Sequence, residues 1–369
     1  MTEAVKRHAT LRISMFSTGL PVAGEKRGGV DRVAHDLADG LARRGHAVTV
    51  WSFDPKPENA AYEVCPLPWK RFATARGGRS LTSGYLGNLL ALTPSYQDAD
   101  VIVAAGDSLL LPLAGKPLVR IMHGSALGEA LSATTPWRFV LQLGVYLQEL
   151  ASAATQPGCV GISENARRYN PFIRRVIPNG VDTTVFRPDP QGKTPEPSVL
   201  FVGALEGRKR GKLLMDWFAR DVRPRFPTAT LSIVSPPGPS APGVSYHTGV
   251  STEELAAMYR RAWVYATPST YEGFGLPYVE AMACGTPVVA TPNPGRREVL
   301  EDGRYARLVG DAEFGRTVAD LLDDSDARRD LTERGLQRAR EFSAALMIDR
   351  YEQLLFEVRA SRSGAGNVS

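Results

Sequence analysis

Short apolar runs alternate along most of the chain with stretches in which apolar residues recur every three or four positions. The run 11–18 (LRISMFST) reads as a strand, 30–45 (VDRVAHDLADGLARRG) as an amphipathic helix stopped by glycine, and 47–53 (AVTVWSF) as the next strand. A strand, helix, strand unit of this kind builds a parallel sheet. The runs 100–105 (DVIVAA) and 118–123 (LVRIMH) continue it, and the second delivers His123 to a carboxyl end, where open parallel sheets bind ligands. A second series of strands, 198–204, 229–235, 264–269 and 286–291, follows the polar, proline-rich stretch 187–198 (RPDPQGKTPEPS), the best linker candidate. Segment 344–361 (AALMIDRYEQLLFEVRAS) has helical spacing, and 362–369 reads as a frayed tail.

With 369 residues the chain exceeds the size at which one core keeps growing, so two domains are expected. The α/β pattern makes them two Rossmann-like halves with a cleft between their carboxyl-end loops. Hydrophobic residues at 43% and charged residues at 22% are ordinary for a globular protein, and no apolar run approaches the roughly 20 residues of a membrane span. Residues 1–10 lack an apolar signal core, so a cytoplasmic location is expected. Cys65, Cys159 and Cys284 are scattered without metal-ligand spacing and read as buried, reduced thiols.

The run 267–289, TPSTYEGFGLPYVEAMACGTPVV, concentrates the chemistry. Gly273 and Gly275 precede what reads as a helix start, and such a start favours anions through unpaired N–H groups and its dipole. The segment is therefore suited to holding a phosphate. Glu272 falls in the loop beside whatever the phosphate carries, and Glu280 lies far enough into the helix to accept hydrogen bonds from vicinal hydroxyls. The plain alternative is a glycine turn and a core helix bearing two solvated glutamates.

This run resembles the signature of the retaining glycosyltransferases of family 4, with its two glutamates separated by seven residues. Further stretches match in the family's order: GGV at 28–30, MHG at 122–124, GISEN at 161–165, VIPNGVDTTVFRP at 176–188 and FVGALEGRK at 201–209. The resemblance implies the GT-B fold, divided as an acceptor-side domain 1–186, a donor domain 187–345, and a last helix in 346–369 crossing back to the first. It implies a metal-independent, front-face transfer of a hexose-type sugar from a UDP- or GDP-sugar, with retention and no cofactor. Arg208 and Lys209 would neutralise the leaving diphosphate, with Gly203 in their turn. Ala204 stands where many members carry another arginine, and Arg210 is a substitute or a helix-start residue facing water. Glu280 resembles the ribose-binding residue and Glu272 the one that contacts donor-sugar hydroxyls. Backbone amides around Gly273, Phe274, Gly275 and Leu276 would meet the distal phosphate, closed from the other domain by Gly28 and Gly29. His123 matches the histidine that faces the donor sugar, making His123, Lys209 and Glu272 the expected catalytic group. Ser163, Asn165 and 179–182 would line the cleft and hinge, with Asn179 and Gly180 equally readable as a turn.

Aspartate pairs suited to a divalent ion are missing from the donor loops, so no metal is expected; 319–326 (ADLLDDSD) reads as an exposed helix end. The net charge of +5 is modest, but no acidic residue falls between Glu63 and Asp98, where Lys70, Arg71, Arg76 and Arg79 lie near Trp69 and Phe72. That stretch is either a patch for an anionic acceptor or lipid surface, or a solvated loop. No nucleic-acid reader motif accompanies it. Segment 134–150, with Trp137, Phe139, Leu143 and Tyr146, is expected to face the core in preference to a lipid surface. The acceptor stays open among small hydrophilic molecules, glycans, natural-product aglycones and lipid-linked sugars. Two rival functions share the fold: a GT-B sugar-nucleotide epimerase or phosphorylase, which would not be expected to carry the EGFGLP loop with its paired glutamates, and a non-catalytic GT-B paralogue serving as a nucleotide-binding or partner subunit.

Overall fold

Apolar strands too short to be stable alone find cover by pairing in parallel, and two sheets result. The computed structural model describes residues 9–22, 29–67, 98–106, 110–131, 135–189, 192–293 and 295–365. The first sheet holds β1 (Arg12–Phe16), β2 (Ala47–Ser52), β3 (Glu63–Pro66), β4 (Val101–Ala104), β5 (Leu118–Met122), β6 (Cys159–Gly161) and β7 (Arg175–Val176) in the order β3-β2-β1-β4-β5-β6-β7. β4 and β5 are buried along their whole length, as a sheet covered on both faces requires. Helix α1 (Gly29–Arg43) packs Val33, Ala34, Leu37, Ala38 and Leu41 inward at helical spacing. Beyond β5 follow α2 (Ala126–Leu131), α3 (Pro136–Thr155) and α4 (Glu164–Tyr169).

The second sheet holds β8 (Ser198–Val202), β9 (Thr230–Val234), β10 (Val244–His247), β11 (Val264–Thr267), β12 (Val288–Ala290) and β13 (Arg307–Leu308) in the order β10-β9-β8-β11-β12-β13, again parallel. Its helices are α5 (Gly211–Trp217), α6 (Thr252–Arg261), α7 (Leu276–Ala283), α8 (Arg296–Val299), α9 (Asp311–Asp323) and α10 (Ser325–Arg340). Asp324 caps α10, accepting from Asp326 N and Ala327 N, so the acidic run 319–326 is a helix junction. The proline-rich stretch is pinned to this half: Lys193 donates to Ala262 O at 2.5 Å and to Thr286 Oγ1 at 2.9 Å.

Chain order reverses between β1 and β4 in one sheet and between β8 and β11 in the other. Those are the positions where doubly wound sheets open a crevice at their carboxyl ends. The two halves are joined twice at one place. Val181 N donates to Phe342 O at 2.8 Å and Ala344 N to Val181 O at 2.9 Å, so the outgoing and returning segments run side by side. A Cβ on Gly180 would come within 2.5 Å of Ala344 Cα, which leaves room only for glycine.

The final helix, α11 (Ala344–Ala365), packs on α1, β4 and β5 of the first half. Glu352 on it accepts from His46 Nε2 at 2.8 Å and Arg44 Nη1 at 2.6 Å. The helix continues to residue 365, so 362–365, read as part of a frayed tail, are helical; no proline interrupts them. A second correction concerns α3. It was expected in the core, yet Trp137, Phe139, Val140, Leu143 and Leu147 are exposed, Trp137 at 70%. Its inward face is instead the one carrying Gln142, Tyr146 and Glu149, where Glu149 accepts from Ala126 N and Tyr146 donates to Tyr169 O. The basic stretch 70–79 lies outside the described residues.

Candidate functional site

The loop from β8 to α5 turns sharply, and its first residue decides what fits. A Cβ on Gly203 would sit 2.9 Å from the Phe201 ring and 3.1 Å from the Lys209 stem, so glycine lets Lys209 fold back over the strand end. A short 3₁₀ turn, Gly207–Lys209, then aims two cations at one carboxylate. Lys209 Nζ lies 2.5 Å from Glu272 Oε1, and Arg208 Nη1 lies 3.3 Å from Oε2 while donating to Tyr271 O at 2.6 Å. Glu272 is buried. Burial opposes its charge, but Lys209 and Arg208 outweigh it and hold the carboxyl below its ordinary value. Gly295 passes beneath, where a Cβ would lie 2.8 Å from Glu272 Cβ.

After Glu272 the chain enters α7 through Gly275, whose φ of 101° belongs to glycine, and Pro277 follows in the first turn. The first N–H groups of a helix have no partner within it and attract anions. Phe274 is buried edge-on against Phe342 at 5.5 Å, so its ring anchors the loop. Glu280 is buried on α7, its Oε2 accepting from Tyr259 OH at 2.9 Å. Neither glutamate is solvated, which removes the plain alternative for this segment.

The first half meets this loop directly. A Cβ on Gly273 would lie 3.3 Å from His123 O, and one on Gly29 would lie 3.0 Å from Leu276 Cδ1. Ser163 caps α4, accepting from Ala166 N at 3.1 Å, and donates to Gly273 O at 3.2 Å. Both ring nitrogens of His123 are buried without a hydrogen-bond partner among the described residues. Burial pushes its pKa from 6.5 down to about 4, so the ring is neutral at pH 7. Arg32 on α1 reaches across to Glu280 Oε1.

The fold thus gathers His123, Gly29, Gly203, Arg208, Lys209, Glu272, Gly273, Phe274, Gly275, Leu276 and Glu280 at one cleft. Gly28 lies outside the described residues. Arg210 is not directed at water: it donates to Pro268 O at 2.6 Å and forks onto Asp311 at 2.7 and 2.9 Å. Asn179 is buried at the paired crossover, and Asp182 turns back onto Thr184. Arg32, Tyr259 and Gly295 escaped the sequence reading; their partners are distant in sequence, and no motif marks them. Among the described residues no group of three or more His, Cys, Asp or Glu is placed to hold a metal ion.

Two parallel-sheet halves whose carboxyl ends face each other across such a cleft define a GT-B protein. The sequence comparisons refine this: the model described as Glycosyltransferase Family 4 matches 27–185, and that described as Glycosyl transferases group 1 matches 196–324. The D-inositol 3-phosphate glycosyltransferase of Kineococcus radiotolerans is 31% identical over an alignment of 438 positions covering 99% of both chains. The MMP alpha-(1->4)-mannosyltransferase of Mycolicibacterium hassiacum is 37% identical over 210 residues, 52% of this chain; there the chain spans about half, 51%, of that relative's length. The same holds for the inositol phosphate glycosyltransferase of Nocardia farcinica, matched over 50% of its length. In fold, the sucrose-phosphate synthase of Thermosynechococcus elongatus superposes with a TM-score of 0.76 at 21% identity, over 95% of this chain and 100% of the other. The chain belongs to glycosyltransferase family 4.

Proposed function

We propose that this protein transfers a hexose-type sugar from a nucleoside diphosphate sugar, UDP- or GDP-linked, to an acceptor hydroxyl with retention at the anomeric carbon. The observation that carries the reading is the convergence of Lys209 and Arg208 on the Glu272 loop at the start of α7. Two cations and a helix N-terminus together offset the charge that builds on a departing diphosphate. Glu280 is placed to take the ribose hydroxyls and Glu272 those of the donor sugar. His123, neutral and partnerless, is placed to hydrogen-bond a further donor hydroxyl.

The carboxylates are committed to binding, so no protein nucleophile takes part. The acceptor oxygen bonds to the anomeric carbon on the face the diphosphate leaves; the bond to the phosphate oxygen breaks with its electron pair, and that oxygen receives the acceptor proton. Cations from the chain make a divalent ion unnecessary in this scheme. In a transfer assay with labelled UDP- and GDP-sugars, activity is expected to survive EDTA and to fall at least about a hundredfold in Lys209→Ala. Full activity in Lys209→Ala and in Glu280→Ala would contradict the site. The non-catalytic alternative predicts binding without transfer for every acceptor class tried.

A nucleotide-sugar donor and unpaired thiols fit a cytoplasmic enzyme. No helix among the described residues is long and apolar enough to cross a membrane. The exposed face of α3 instead fits peripheral contact with an anionic bilayer, since exposed Arg168 on the adjoining α4 supplies complementary charge, while Arg167 there is paired with Glu164. Such contact favours a lipid-linked acceptor. Cosedimentation with phosphatidylglycerol vesicles, absent with phosphatidylcholine alone and lost in Trp137→Glu with Leu147→Glu, is the expected result. Dimerisation through α3 in light scattering, without vesicle binding, would contradict it.

A further inference from the structure

Arg32 lies near the start of α1, just after the glycine that approaches Leu276, and its Nη2 donates to Glu280 Oε1 across the cleft. The pair is largely desolvated, with Glu280 2% and Arg32 22% exposed. The guanidinium stands 5.5 Å from the centre of the Phe186 ring, which leans edge-on against Tyr259 at 6.2 Å. Tyr259 in turn holds the other oxygen of Glu280. Both carboxylate oxygens are therefore engaged by protein, one from each half. Each oxygen keeps a further lone pair, but with Glu280 2% exposed and Tyr259 fixed in the core of its own half, a ribose reaches the carboxylate only on the side that Arg32 covers.

We propose that Arg32 is a placeholder for the donor's ribose: it satisfies Glu280 in the donor-free protein, moves aside when ribose hydroxyls take Oε1, and so sets donor affinity. This deepens the proposed function and rests on its assignment of Glu280. A buried carboxylate deprived of its cation is costly, so the pair ties the two halves together at rest and yields only to a ligand that replaces its hydrogen bond. The displaced guanidinium has partners of its own. Asp36, one turn further along α1, acts electrostatically on Arg32, and Asp182 on the crossover acts in turn on Asp36. The Asp36 carboxyl, which burial pushes up to about 7, regains its charge most readily when Arg32 turns toward it. Arg32 is thereby a positioning residue whose two partners lie on different halves.

The test compares wild type, Arg32→Met, Glu280→Gln and the double variant. Methionine keeps the stem on Phe186 and removes the charge. Uridine, guanosine, UDP and GDP are titrated calorimetrically into each. The expected result is that Arg32→Met binds the bare nucleoside about threefold to tenfold more tightly than wild type, the range of one hydrogen bond released from competition. Unchanged or weaker nucleoside binding overturns the proposal and, if weaker, makes Arg32 a direct donor ligand. Melting without ligand is the second readout: each single variant is expected to melt lower than wild type, and the double no lower than Glu280→Gln. Fully additive losses would show no pair and overturn it too. Wild-type-like nucleotide binding by Glu280→Gln would sink the donor-site reading instead, while the ligand-free cycle still reads Arg32 against Glu280.

Discussion

His123 carries two buried ring nitrogens with no partner among the described residues, and folded chains rarely leave such atoms unpaired. A neutral ring kept from protonation also leaves a mark on stability. Because its pKa is 6.5 when unconstrained and about 4 in the fold, the unfolded chain binds the extra proton first as pH falls. Its contribution is complete above pH 6.5 and is lost between there and about 4. Glu272, held below its ordinary value, loses its own contribution as pH falls through its lowered pKa. Urea midpoints measured from pH 8 to 4 should therefore decline, and His123→Asn should flatten the decline between pH 6.5 and 4. An unchanged slope in that variant would show that the ring is solvated.

At this scale the sequence was legible where spacing encodes geometry. Two glutamates separated by seven residues, with glycines between, already specify a loop followed by a helix. Glu272 and Glu280 indeed reach one cleft from those two elements. What spacing cannot encode is which distant side chain answers a buried charge. Arg32 and Glu280 are 248 positions apart, and Arg32 resembles any other polar residue of an amphipathic helix.

Among the elements, α6 links local sequence to the site. Ser251 accepts from Glu254 N at 3.1 Å, and Glu254 accepts from Ser251 N at 2.7 Å, a reciprocal cap readable as S-x-x-E. The helix so started delivers Tyr259 to Glu280. Ser251→Ala should cost about 1 kcal/mol in urea unfolding and leave nucleotide binding nearly intact. A large loss of binding would mean that the cap positions Tyr259 as well as stabilising the helix. The long central strands were legible as apolar runs, whereas β6, β7 and β13, of two or three residues, carry too few positions to show a period. The α3 expectation failed for a related reason. Helical spacing identifies an apolar face but not its partner, and here the inward face is secured by Glu149 and Tyr146 hydrogen bonds.

For the whole molecule, the paired crossover at Val181 and Ser343 is the place where the chain passes between the halves in both directions. Gly180→Ala forces a Cβ to within 2.5 Å of Ala344 Cα and must displace backbone. A loss of about 1–3 kcal/mol in stability is expected, with transfer reduced more than nucleotide binding, because only transfer needs both halves in register. Equal losses in both would place the defect in the donor half alone.

The central claim is that the cleft holds a nucleoside diphosphate sugar through Glu280, Arg208 and Lys209. The most direct measurement is a thermal-shift titration in EDTA with UDP, GDP, ADP and TDP, and then with the sugar conjugates of whichever binds. A ligand at a hundredfold excess over its dissociation constant stabilises by roughly 2.7 kcal/mol, enough to raise the midpoint by several degrees. The account predicts a selective rise with one nucleotide that vanishes in Glu280→Ala. No rise with any of the four, or an equal rise in the variant, would contradict it.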